Sequence, residues 1–502
     1  MTMLLRNSKR FTYLLHRWSG VITGVFMTLW FVSGIVMLFV GYPKLFPNEH
    51  LAKLEPIKQQ ACCIGLDTVF AALPQTNAKA DSIRLVVVAS KPQYQVTQGS
   101  HIYAVDAQSG ALIPPVDESL ALSSVASYLK ASTPTYEGLV HADIWTRSSG
   151  LNLHRPLHKI RANDPANTIV YVSSRTGEVV MQADAWIRRW NYVGAWLHWL
   201  YMFRGPSPDP IWHWLVVILS LASTITTVTG TIVGIWRWRF RGRYRSGARS
   251  PYPSGVMRWH HVTGLLFCGI TLTWIFSGLM SMNPFGILSA KSAPDQSAYQ
   301  GQPLVPSSFG RSAPDFLKRA PADSLKEIRW LVVGGHPYLI GRTANNQPIT
   351  MSATQSDGAI VHELDLPKLL DAAQRLFAYP ITSVQQLDSY DMYYYARASQ
   401  AMRGAREKPL PILRVQFGDP SASWAHIDPR TGSIESLIDR RQRMGRWLFE
   451  LLHSWDLPVL LAAGWWRDAA LILFSLGGFA LSATGVWVAC RRVQHTFKSR
   501  RY

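Results

Sequence analysis

Charge is scarce in this chain. Asp, Glu, Lys and Arg make up 16% of its 502 residues, against roughly 25% in an average soluble protein, so long stretches carry none. Acids are the rarest, 31 against 51 Lys and Arg, for a net charge of +20. Cysteine is nearly absent, with four residues at 62, 63, 268 and 490. No C-x-x-C-H occurs, which excludes a covalently attached c-type haem, and no grouping suits an iron–sulfur cluster. No G-x-G-x-x-G stands between a strand and a helix, and the longest basic loop is too short for a flavin or nicotinamide domain. Cys62 and Cys63 receive no role.

The charge-free stretches are long enough to cross a bilayer, which takes about 20 apolar residues. They lie at about 18–42, 211–236, 259–284 and 469–490. The first follows a basic start but has no small-residue cleavage site, so it reads as a retained anchor and not a signal peptide. The positive charges sit in the short flanks. Residues 1–17 carry Arg6, Lys9, Arg10 and Arg17. The loop 237–258 carries Arg237, Arg239, Arg241, Arg243, Arg245, Arg249 and Arg258, and the tail carries Arg491, Arg492, Lys498, Arg500 and Arg501. None of the three holds an acid. Basic flanks mark the cytoplasmic side, so the net charge reports topology and a nucleic-acid partner is excluded. Both termini are expected inside and two segments, 46–185 and 285–440, outside. Both have soluble composition and β-branched runs such as IRLVVVAS (83–90), TIVYVSS (168–174) and IRWLVVGG (328–335), and each is long enough for its own α+β core.

The chain repeats itself. HRWSGVITGVFMTLWFVSG (16–34) aligns with HHVTGLLFCGITLTWIFSG (260–278), bringing His16 onto His260, Trp30 onto Trp274 and Ser33-Gly34 onto Ser277-Gly278. YVSSRTGEVV (171–180) aligns with HIDPRTGSIE (426–435), and the same offset carries His198 onto His453 and Thr229-Gly230 onto Thr484-Gly485. The expected fold is a polytopic α-helical membrane protein, its four transmembrane helices arranged as two parallel repeats. Its expected pieces are 1–45, the outer segment 46–185, a membrane-proximal helix and span at 186–236 and the loop 237–258. The second half gives a span at 259–284, the outer segment 285–440, a second membrane-proximal helix and span at 441–490, and the tail 491–502.

LHRWSG (15–20), DIWTRSSGLNLHRPLHKI (143–160), RRWNYVGAWLHWLYMF (188–203), WHHVTG (259–264), YDMYYYAR (390–397), LPILRVQFGDP (410–420) and HIDPRTG (426–432) resemble, in order and spacing, the PepSY-associated transmembrane proteins of bacterial inner membranes. The resemblance covers nearly the whole chain. It implies PepSY-like outer domains in the periplasm, and for its best-understood members a haem-containing reductase acting on ferric siderophores in iron uptake.

Of fifteen histidines, four recur at equivalent positions: His16 with His260 and His198 with His453. Under a twofold axis each pair approaches from opposite sides, as two axial ligands of a haem between helices do. Small residues follow the first histidine of each copy: Ser19, Gly20, Thr23 and Gly24, then Thr263 and Gly264. The expected cofactors are two non-covalent b-type haems, one near each face, with Arg17 and Arg258 beside the inner one. His261 is an alternative to His260. His213 is a weaker candidate, because its repeat position holds Asp468. His154 and His158 flank Pro156 and read as scaffold or substrate-facing surface.

The leading expectation is an inner-membrane electron-transfer protein. A cytoplasmic reductase or membrane quinol would be its donor and a periplasmic ferric chelate its acceptor, with Tyr393, Tyr394, Tyr395 and Arg397 as candidate dock residues. The rival is a non-redox anchored module that binds or restrains a periplasmic protein or peptidase. A transporter ranks last, for want of intramembrane acids.

Overall fold

The computed structural model describes residues 2–59, 62–74, 79–130, 133–205, 209–354, 358–398, 400–401 and 408–498. Arg500 and Arg501 of the basic tail, and the side chains of Arg6 and Lys498, lie outside the described residues.

Among the described residues four helices are long and apolar enough to cross a membrane: Thr2–Met37, Pro210–Arg237, Val256–Ser281 and Trp465–Lys498. The first ends five residues short of the expected 42. The chain leaves it for Gly41-Tyr42-Pro43, residue types that disfavour helix, and Gly41 lies so close to Gln400 that a Cβ there would be 2.5 Å from its carbonyl oxygen. The second is started by Asp209, whose carboxylate accepts from Trp212 N at 3.0 Å, with Pro210 in the first turn, where a missing N–H costs nothing. The fourth extends past both expected limits, 469 and 490. The first and third spans each pack against the second and the fourth, which closes a four-helix bundle.

Among the described residues, fifteen strands and several short helices build the rest. The strands are β1 (Ser82–Val88), β2 (Lys91–Gln98), β3 (His101–Asp106), β4 (Thr135–Val140), β5 (Leu157–Arg161), β6 (Ile169–Ser173), β7 (Val179–Ala183) and β8 (Leu325–Val333), then β9 (His336–Thr343), β10 (Pro348–Ser352), β11 (Ile360–Val361), β12 (Ile381–Leu387), β13 (Ile412–Phe417), β14 (Trp424–Ile427) and β15 (Ile434–Ile438). Strands β4 to β7 form one antiparallel meander and β12 to β15 another. Each has its own apolar core, Val125, Ile160, Val170 and Val172 in the first and Leu369, Val415, Ala425 and Ile427 in the second.

The third sheet corrects the expectation that each outer segment closes on itself. Its seven strands run β11-β10-β9-β8-β1-β2-β3. The join is antiparallel pairing of β1 with β8, Leu85 opposite Ile328 and Ile83 opposite Trp330. The four-strand ribbon β8 to β11 and the three-strand ribbon β1 to β3 would each otherwise leave an edge of unpaired N–H and C=O groups at the join. The largest apolar core lies under this seam and draws on both segments: Val69, Leu85, Tyr94, Phe316, Ile328 and Leu339 are all buried in it. The two outer segments are thus one folded body with a shared sheet.

Candidate functional site

Two short helices carry the chain from the meanders back to the bundle, and they start alike. Asp184 caps Ala185–Asn191 by accepting from Ile187 N at 2.7 Å, and Asp439 caps Arg440–Gly445 by accepting from Gln442 N at 3.0 Å. Each continues into a widened π turn, Tyr192–Trp196 and Arg446–Leu451, a device frequent at functional sites. Each ends at a non-glycine residue with left-handed backbone, Leu200 at φ 52° and Trp455 at φ 53°. The histidine lies two residues before that stop in both.

That geometry brings the His198 and His453 rings together. Their ring centroids are 6.0 Å apart and their planes cross at 74°. Nδ1 of His198 hydrogen bonds with Ser33 Oγ at 3.0 Å, and Nδ1 of His453 with Ser277 Oγ at 3.0 Å. Gly34 and Gly278 pass beside the rings, a built Cβ lying 3.8 Å and 3.9 Å from their Cε1 atoms. Trp30 Nε1 donates to His198 O at 2.9 Å and fixes the first short helix against the first span. The two rings line a cavity of about 460 Å³ together with Trp30, Trp274, Gly34 and Gly278, within the usual range for a small-molecule site.

The second pair lies in the bundle. Ser33 follows His16 by seventeen residues on one helix, so the two levels are roughly 25 Å apart at 1.5 Å per residue. The His16 and His260 rings are 6.3 Å apart and nearly parallel, at 21°. Backbone carbonyls hold them: Nδ1 of His16 donates to Thr226 O at 3.0 Å, and Nδ1 of His260 to Leu481 O at 3.2 Å. Glycine makes room. A Cβ at Gly230 would stand 2.5 Å from His16 Cε1, and one at Gly485 3.1 Å from His260 Cε1.

All four histidines therefore spend Nδ1 on orientation, and among the described residues none of their Nε2 atoms has a hydrogen-bond partner. Two imidazoles bonded through Nε2 to one metal at about 2.0–2.1 Å bring their centroids to roughly 6 Å. Both pairs meet that spacing. Among the described residues no three His, Cys, Asp or Glu side chains converge on one point. Each pair can thus offer one metal two imidazole ligands through Nε2.

The remaining sequence candidates separate cleanly. His261 has both ring nitrogens engaged, Nδ1 with Ser250 Oγ at 2.8 Å and Nε2 with Gly234 O at 3.0 Å. His213 packs edge-on against Trp214 and is not part of the His198–His453 cavity. His158 is buried between Tyr136 and Val116 O, and His154 meets Ser173 Oγ, so both are scaffold. Tyr394 is fully buried, stacked on His426, whereas Tyr393, Tyr395 and Arg397 face a second cavity. A Cβ built at Gly20, Gly24 or Gly264 would lie 3.2–3.7 Å from a side chain of a neighbouring helix, so these glycines serve close helix packing. Arg17 and Arg258 are exposed. Cys62 and Cys63 pack, partly buried, against the core under the seven-stranded sheet.

Sequence reasoning missed the seats of the rings. Ser33, Ser277, Gly230 and Gly485 all lay in the repeated stretches, but only the fold shows which histidine each one serves. No curated protein matches the chain. The family model described as the PepSY-associated TM region matches residues 13–492, taking in all four histidines, most of every span and all three sheets. The chain is a multi-pass membrane protein with α+β domains, and it belongs to the PepSY-associated transmembrane family.

Proposed function

We propose that this chain is an electron-transfer protein of a bacterial inner membrane, built by internal duplication. His16 and His260 hold a b-type haem near the cytoplasmic face, and His198 and His453 hold one near the periplasmic face. The observation that carries the reading is the spacing of the two histidine pairs, 6.3 Å and 6.0 Å between ring centroids, with every Nδ1 already anchored. Bound there, a haem supplies a one-electron redox couple whose potential the ligands and their surroundings set.

The protein's own part is to fix and shield. Hydrogen bonds at Nδ1 hold each ring's orientation and leave Nε2 as the ligating atom. Trp30, Trp274 and Phe31 surround the outer pair with apolar surface, which restricts water. Electrons come from a cytoplasmic reductase or a membrane quinol and go to a ferric chelate, such as a ferric siderophore, among the periplasmic domains. Iron(II) is held less tightly by hard oxygen ligands than iron(III), so reduction favours iron release.

Purified in detergent after expression with ample haem, the protein should be red, with about two haems per chain by pyridine haemochrome and a Soret band that shifts on dithionite. Colourless protein would overturn the redox reading in favour of an anchored binding module. Glycine substitutions give a sharper contrast. Gly230→Ala should displace His16 and remove the inner haem, because its Cβ has no room. Gly34→Ala should keep both haems, because its Cβ meets His198 at an ordinary contact distance.

Basic flanks without acids support cytoplasmic termini and a cytoplasmic 237–258 loop. Reporter fusions after residues 120 and 360 should be active only with a periplasmic reporter. A cytoplasmic reporter that works at either point would reverse the topology.

A further inference from the structure

A cavity of about 850 Å³ adjoins the one that holds His198 and His453, sharing Ser281, Arg397, Ala401, Phe449 and Ser454 with it. Phe449 stands at the boundary, its ring 5.3 Å from that of His453. Among the described residues the wall carries five cations, Lys44, Arg397, Lys408, Arg443 and Arg446, against two carboxylates, Glu450 and Asp456.

Both carboxylates are committed to the wall itself. Asp456 pairs with Arg397 and stands 3.8 Å from Arg467. Glu450 accepts from Tyr395 Oη at 2.8 Å and stands 3.7 Å from Arg446. Counted over the described residues alone, the wall has three more positive than negative side chains. Arg446 is only 6% exposed, and its Nη1 makes no hydrogen bond. Flat groups lie against the cations. The Arg446 guanidinium covers the Tyr395 ring at 4.1 Å and Arg443 covers Trp424 at 4.1 Å. A recessed surplus of one sign of charge concentrates the opposite ion, and planar guanidinium and aromatic faces favour planar anionic arms.

We propose that this cavity is the acceptor dock and that it selects anionic ferric chelates of the catecholate type over neutral or cationic ones. The proposal rests on the reading of His198 and His453 as the outer redox site, one ring away. The bound iron(III) takes up one electron from that site and becomes iron(II), the electron having come from the quinol or reductase on the other side. No bond need form or break in the dock.

Gallium(III) separates docking from electron transfer, because its chelates copy those of iron(III) but accept no electron. The triply negative gallium tris-catecholate should quench tryptophan fluorescence of the full-length protein in detergent, saturably and more weakly at high salt. The neutral gallium tris-acetohydroxamate should bind at least about tenfold more weakly. Arg443→Gln and Lys44→Gln should each weaken tris-catecholate binding several-fold without loss of haem, and Arg443→Lys should restore most of it. Equal binding of the two chelates, or unchanged affinity in both Gln variants, would overturn the dock while leaving the haem reading intact. Charge-selective binding by protein without haem would support the anion site and sink the redox reading on which its role as an acceptor dock rests.

Discussion

Replacing His198 or His453 by alanine should cut haem content from about two to about one per chain and abolish reduction of an external ferric chelate. The remaining haem should still accept electrons from the cytoplasmic side. The partial loss follows from separation: the pairs lie roughly 25 Å apart along one helix and share no ligand, serine or glycine. His16→Ala or His260→Ala should do the reverse, leaving a haem at the outer level that no longer receives electrons from within. His261→Ala and His213→Ala are the controls. His261 already uses both ring nitrogens on Ser250 and Gly234, so its loss should lower stability by about 1–2 kcal/mol and leave haem content unchanged. His213 touches Trp214 and lies outside the outer cavity. Loss of a haem in His213→Ala with both kept in His453→Ala would reassign the outer ligand. The same pattern for His261 and His260 would move the inner one by a residue.

That His16 meets His260 and His198 meets His453 was legible because the repeat gave each histidine a partner of the same type at an equivalent place. An offset of 244 or 255 residues makes each histidine predict its partner. The spans were legible because charge cannot be hidden in hydrocarbon. What holds the rings was harder to read. Ser33 and Ser277 stand in the aligned stretch, but serine in an apolar helix has many uses, and its partner arrives from 165 and 176 residues away. Thr226 and Leu481 act through backbone carbonyls, which every residue has. The seven-stranded sheet was invisible for a related reason. Alternation along β1 and β8 shows that each is a strand, but not that Leu85 faces Ile328 across more than 240 residues. YDMYYYAR lies largely outside regular structure, so no periodicity separates buried Tyr394 from Tyr393 and Tyr395, which face the cavity.

The β1–β8 seam carries the largest expected stability effect. Arg84, on β1, reaches two carboxylates at once: Glu178 Oε1 at 2.8 Å and Glu327 Oε2 at 2.7 Å. These are 3% and 2% exposed, and Glu327 lies on β8, so one guanidinium ties both outer segments together. Burial raises the pKa of each carboxyl, but Arg84 outweighs it, helped by His50 at Glu178 and Arg329 at Glu327, and both end below the usual carboxylate range. Arg84→Ala leaves two buried carboxylates short of their shared cation, which should cost about 3–5 kcal/mol. The lower figure is favoured because His50 and Arg329 remain. Arg84→Lys should recover only part, since a compact ammonium lacks the planar fork. The sign with pH follows from the direction of the shifts. In the wild type a depressed pKa gives stability that is complete above the ordinary carboxylate pKa of about 4 and lost as pH falls below it. Without Arg84 the carboxyls should titrate higher than in the unfolded chain, so protonation relieves the variant and the gap in thermal midpoint should narrow as pH falls from 7 toward 4. Converting all three residues to uncharged forms, Arg84→Met with Glu178→Gln and Glu327→Gln, should recover most of the loss, because the damage lies in unpaired buried charge and not in the missing side chain. A constant gap across pH, or no recovery in the triple variant, would mean that Arg84 acts by packing alone.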